Sequence, residues 1–191
     1  SGGGSVFASS TMVSLLRRFK EQNNVTITAY VDGLCASAST YLLMVADNIN
    51  IYQNSIIMIH KPITWSFGNA DDLRKDIDTL DTIENDMMVP MYLSKATVSE
   101  DEIKDLIAKE TWFNGNPDSK LFLGNYFNCN LLEESKQAVA CSSLLLNKYV
   151  NTPKALKNVE KEPVKEPKEP KPEQPKADNS LYEQRIRLLN L

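Results

Sequence analysis

The sequence predicts an α/β layered domain with a mostly parallel sheet over residues 1–150, followed by a tail of different character. Three observations carry that expectation. Short β-branched runs with period-two alternation take turns with runs of helical spacing. The strand-like runs stop at glycine, proline or a polar turn, and after Asn151 the chain turns into Lys/Glu/Pro repeats. Strands that alternate with helices favour parallel pairing, because each helix supplies the crossover that a parallel neighbour needs.

In chain order, SVFASSTMVSLLRRFKEQ puts Val6, Met12, Val13, Leu16 and Phe19 at helical spacing. VTITAYVDG then reads as a strand ended by glycine, and ASTYLLMVAD as a helix. NINIYQ and SIIMIHKP read as two short strands separated by a turn. The long run GNADDLRKDIDTLDTIENDMMVPMYLSKA reads as a helix interrupted or bent at Pro90, whose ring clashes with the preceding turn and which has no N–H to donate. VSEDEIKDLIAKETW contains a capping box, Ser99 with Glu102 three residues on, and opens a helix that brings Glu110 to its C-terminal end. A last helix over SKQAVACSSLLLNKY is expected to close the domain.

Six of the nine prolines fall in 151–191. Residues 151–179 hold hardly any apolar side chain, so they cannot bury enough surface to offset the entropy of ordering and read as a disordered, extended linker. Residues 180–191 turn apolar again, with Leu181, Ile186 and Leu189 near one helical face. They read as a short terminal helix or as a docking peptide on a tether.

Totals narrow the function. A formal charge of −4 argues against nucleic acid as the main partner, since phosphate binding needs a basic face. Cys35, Cys129 and Cys141 form no CxxC pair, and the chain has one histidine, so neither a disulfide framework nor a metal cluster is indicated and no cofactor is expected. No run is long and apolar enough to span a bilayer, and the N-terminus lacks the pattern of a signal peptide. A cytoplasmic location without membrane contact is expected.

The chemistry is sought where VDGLCASAS joins a strand to a helix. Ser37 sits at that junction, where a tight turn can project its hydroxyl and nearby backbone N–H groups can stabilise an oxyanion. A serine needs a base to become a nucleophile, and His60, at the end of IIMIH, is the only histidine of the chain. By spacing alone His60 reads more readily as a structural residue than as a catalytic one. Ser39 is two residues further and is expected to pack or cap, Cys35 to fill buried space, and Asp32 to serve the loop.

Four blocks, GGSV, GLCASAS, NSIIMIHKP and KETWFNG, stand in this order across residues 1–125. Together they resemble the ordered blocks of the Clp protease (ClpP) family, most closely the ClpP-like head maturation proteases of tailed phages. The resemblance implies a crotonase-like layered fold whose N-terminal part is missing from this chain. It implies Ser37 as nucleophile, His60 as general base, and Glu110, where many relatives carry aspartate, as the acid that orients the imidazole. It further implies backbone N–H groups of Gly3 and Ala38 as oxyanion donors, with glycine suited to close approach of substrate. The segment Ile63, Thr64, Trp65, Ser66, Phe67 and Gly68 would bind an extended peptide by strand addition.

The resemblance thus implies a serine endopeptidase that cleaves scaffold or capsid proteins during phage head maturation, in the host cytoplasm, as a homo-oligomeric ring, heptameric or stacked. No phosphate-binding loop occurs, so any ATP-driven unfolding requires a separate ATPase. Two alternatives stay open: a general ClpP-type protease working with a Clp ATPase, and a non-catalytic assembly or scaffold-binding subunit.

Overall fold

The computed structural model describes residues 1–132 and 149–153. These belong to the first of two compact units, Ser1–Val159, and the second is Glu160–Leu191. The helix expected over 135–149, apart from Tyr149, and the linker and terminal peptide beyond residue 153 lie outside the described residues.

Helix α1 (Val6–Asn23) starts where the Ser5 hydroxyl accepts the N–H of Ala8, and stops where Asn24 turns left-handed at φ 49°. Only part of its predicted apolar stripe is covered. Val13 is buried and Val6 and Leu16 pack against the core, whereas Met12, Leu15 and Phe19 stay about half exposed. The reason is angular: at about 100° per residue, positions 12, 15 and 19 form a second stripe that the contact along Val6, Val13 and Leu16 does not reach.

The strand expected over VTITAYVDG is β1 (Thr28–Val31), which stops before Asp32 and Gly33, and directly after that break a further strand, β2 (Leu34–Ala36), joins a different sheet. After α2 (Thr40–Val45) the chain repeats the manoeuvre, with β3 (Asn48–Tyr52) in the first sheet and β4 (Ile56–Ile59) in the second. One sheet has the order β1-β3-β6, all parallel, where β6 is Asn130–Leu132. The other has the order β2-β4-β5, in which β2 and β4 are parallel and β5 (Thr111–Asn114) runs antiparallel. Ser55 fixes the crossing. It is fully buried, and its hydroxyl donates to the Val31 carbonyl while accepting the Tyr52 N–H. A buried hydroxyl satisfied on both sides costs little, and it ties the two corners together.

The long helix follows one path in three pieces: α3 (Ala70–Thr82), a widened π turn (Ile83–Met88) and α4 (Val89–Leu93). Proline does interrupt it, but the strain is taken up before the ring: Val89 N–H bonds back to Glu84 O, five residues away, so the carbonyls facing Pro90 are not crowded. None of the α3 side chains is fully buried. Helix α5 (Glu100–Ala108) is capped by Ser99, whose hydroxyl accepts the Glu102 N–H. It ends two residues before Glu110, which has φ 50° and turns the chain into β5. The aromatic and β-branched run TWFN forms that strand, whereas the helix expected to reach Glu110 stops at Ala108.

The core lies among Tyr41, Ile51, Ile57, Tyr92, Phe113 and Phe127, all fully buried. Tyr92 meets Tyr41 and Phe127 edge to face at ring distances of 5.9 and 6.2 Å. Strand and helix content with mostly parallel pairing makes this an α/β fold. No helix among the described residues is long and apolar enough to cross a membrane.

Candidate active site

The site is built at the end of β2. Ser37, the next residue, has φ 57°, a left-handed conformation that costs a non-glycine residue about 1 kcal/mol or more and lifts its hydroxyl out of the line from strand to helix. A single turn of 3₁₀ helix (Ser37–Ser39) then leads into α2. The turn is held from below. The Thr40 hydroxyl donates to the Ser37 carbonyl at 2.6 Å and lies 2.7 Å from the Tyr92 hydroxyl. Burial pushes the Tyr92 phenol up, so it stays protonated and donates to Thr40. Neither Thr40 nor Tyr92 was expected at the site, because only the fold brings residue 92 under residue 40.

Strand register delivers His60. In the parallel β2–β4 pair Ala36 lies across from Met58, so Ser37 and His60 emerge at the same end of the sheet. Ser37 Oγ and His60 Nε2 are 2.7 Å apart. With Nε2 unprotonated, the hydroxyl donates to the ring, which is the arrangement required for proton removal during attack. Lys61, next in the chain, pairs with the buried carboxylate of Glu84 at 2.8 Å and thereby ties the π turn to the site.

Glu110, expected to orient the imidazole, stands directly before β5. In the antiparallel β4–β5 register Ile59 faces Thr111, so Glu110 is brought beside His60 along the backbone. Its carboxylate nevertheless accepts from other donors: Trp112 Nε1 at 3.2 Å, Val150 N at 3.1 Å and Asn151 N at 2.6 Å. The left-handed backbone at Glu110 accompanies this course, towards Val150 and Asn151.

Gly3 and Ala38 flank Ser37. Gly3 has φ 78°, and a methyl group built on it would lie 2.6 Å from the Ala36 carbonyl oxygen and 2.6 Å from Ser37 Cβ, so only glycine allows this approach. The Gly3 N–H donates to Ser1 Oγ at 3.3 Å. The arm itself is laid along β2, with the Ser1 amine on the Leu34 carbonyl and the Ala36 N–H on the Ser1 carbonyl. A cavity of about 50 Å³ opens beside the hydroxyl, between Val6, Tyr41, Pro62, Ile63 and Met88. Residues 63–68 form an exposed, irregular connection and not a strand, with Ile63, Trp65 and Phe67 almost wholly in solvent.

The rival residues are accounted for by their surroundings. Ser39 is buried, and its hydroxyl faces the carbonyls of Ala36 at 2.7 Å and Ser1 at 3.2 Å. Burial pushes the Cys35 thiol up, away from the thiolate form that reacts. Asp32 is exposed in the break between β1 and β2.

One neighbour escaped sequence reasoning. Tyr149 is 4% exposed and stands edge-on to His60 at a ring distance of 5.3 Å and to Trp112 at 5.8 Å. Its hydroxyl donates to the Gly2 carbonyl. No spacing signal marks it, since it is separated from His60 by most of the domain.

No curated protein matches the chain. The family model described as Clp protease matches residues 1–120, well over half of the 191, and the stretch contains Ser37, His60 and the Gly3 arm. On that match the chain belongs to the Clp protease family.

Proposed function

We propose that this chain is a serine endopeptidase in which Ser37 attacks the peptide carbonyl and His60 takes its proton. The observation that carries the reading is the 2.7 Å contact between Ser37 Oγ and His60 Nε2, inside a chain of the Clp protease family. In attack, the Ser37 oxygen bonds to the carbonyl carbon, the hydroxyl proton passes to Nε2, and His60 then protonates the departing amine. The backbone N–H of Ala38 and that of Gly3, once released from Ser1, are the proposed donors to the oxyanion. Among the described residues the exposed segment 63–68 has no strand partner, which supports its backbone as an edge for an extended peptide.

The substrates proposed are scaffold or capsid proteins of a phage head, on the resemblance of the four sequence blocks, and the working form is a homo-oligomeric ring. The test uses the purified full-length enzyme with procapsid scaffold protein. Cleavage should vanish in Ser37→Ala while the oligomeric state is kept, and persistent cleavage in that variant rejects the assignment. An enzyme that ignores scaffold but degrades unfolded protein with a Clp ATPase is the general protease instead. A folded chain whose Ser37 does not react with a fluorophosphonate is a binding subunit.

A further inference from the structure

The Tyr149 side chain touches both the His60 ring and the backbone of the glycine arm. It rides on a short strap, residues 149–152, beyond the 1–120 matched by the family model. The strap is pinned by Glu110: its carboxylate receives the N–H groups of Val150 and Asn151, while the Asn151 side-chain amide donates to the Lys109 carbonyl at 3.0 Å. The same carboxylate receives the indole N–H of Trp112, whose ring stands edge-on to Tyr149. The charged acceptor makes each of these bonds stronger than a neutral one.

We infer that Tyr149 is a positioning residue for the Ser37–His60 pair and that Glu110 acts through it, by holding the strap against the site. This rests on the peptidase reading above. The aromatic ring limits the tilt of the imidazole, and the phenol hydroxyl fixes Gly2 and with it the arm that carries Gly3. Glu110 thus contributes to His60 orientation indirectly, through Trp112 and Tyr149. Reaction geometry is steep in distance: about 1 Å of misplacement costs on the order of a hundredfold in rate.

The experiment measures the modification of Ser37 in the full chain by a fluorophosphonate, followed by intact mass. The Ser37 oxygen bonds to phosphorus, fluoride leaves, and the hydroxyl proton goes to His60. Rates at several probe concentrations separate kinact from KI. Tyr149→Leu, which removes ring and hydroxyl, should lower kinact about a hundredfold with KI little changed. Tyr149→Phe restores the ring and should recover most of that loss, remaining about fivefold below the wild type for one missing hydrogen bond. Glu110→Ala should lower kinact like Tyr149→Leu. Equal kinact in all three variants and the wild type overturns the proposal, as does a fall in Tyr149→Leu that Phe does not recover. If Tyr149→Leu does not fold, Tyr149→Phe and Glu110→Ala decide in the same way. A wild type that never labels defeats the peptidase reading and this proposal together, whereas labelled variants at wild-type rate defeat this proposal alone.

Discussion

Replacing Gly3 by alanine tests the close approach on which the oxyanion arm depends. The added methyl would stand 2.6 Å from both Ser37 Cβ and the Ala36 oxygen, where ordinary contact begins at 3.4 Å, so the arm must retreat by about 0.8 Å or push Ser37 aside. The left-handed backbone, φ 78°, adds about 1–2 kcal/mol of strain once a Cβ is present. A displacement of this size predicts a loss of about a hundredfold in kinact for Ser37 labelling, equivalent to about 2.7 kcal/mol in the barrier. The assay is fluorophosphonate labelling of the full chain, run beside a thermal melt. Gly4→Ala, where an added methyl meets nothing within 4 Å, should fall well short of that loss. A Gly3→Ala protein that labels at the wild-type rate and melts at the wild-type temperature would refute the reasoning.

Asp47 bonds to Lys20 and to the Ile27 N–H, and these contacts, the Lys20 bond foremost, hold its carboxyl below the usual 3.8. A carboxyl depressed on folding stabilises above its unfolded pKa and ceases to do so as pH falls through the folded one. Asp47→Asn should therefore have a lower urea midpoint than wild type at neutral pH, with the gap closing on acidification below 3.8; a gap that persists in acid contradicts this. Burial pushes the Cys129 thiol up to about 11, so peptide-level mass spectrometry should find Cys129 slow to alkylate at pH 8, and rapid modification of the folded chain would contradict it. Trp65 is fully exposed, so Trp65→Ala should leave stability within about 0.5 kcal/mol while raising KM for an extended peptide; an unchanged KM removes residues 63–68 from the proposed binding edge.

The helices and most strands were legible because they depend on local chemistry. Period-two runs gave β3 and β4, the Ser99 cap gave the start of α5, and the small-residue turn gave the junction at Ser37. The short strand β2, which follows β1 but lies in the other sheet, was not legible, since a chain changes sheets only when neighbours exist on both sides. Strand β5 was not singled out, because only its pairing with β4 marks TWFN as a strand. The buried support of Thr40 by Tyr92, 52 residues apart, has no local signature either.

By itself, then, the sequence determined which residue types were available for the chemistry and where the chain had to turn: one imidazole, a serine between alanines, glycines in the arm. Tertiary structure alone decided which of them meet. Parallel pairing of β2 with β4 carries His60 to Ser37, while the carboxylate of Glu110 turns to backbone N–H groups of a strap 40 residues away. The physical reason is that a side chain's type is fixed locally, but its partner depends on strand register and on which unsatisfied donors the fold brings within reach.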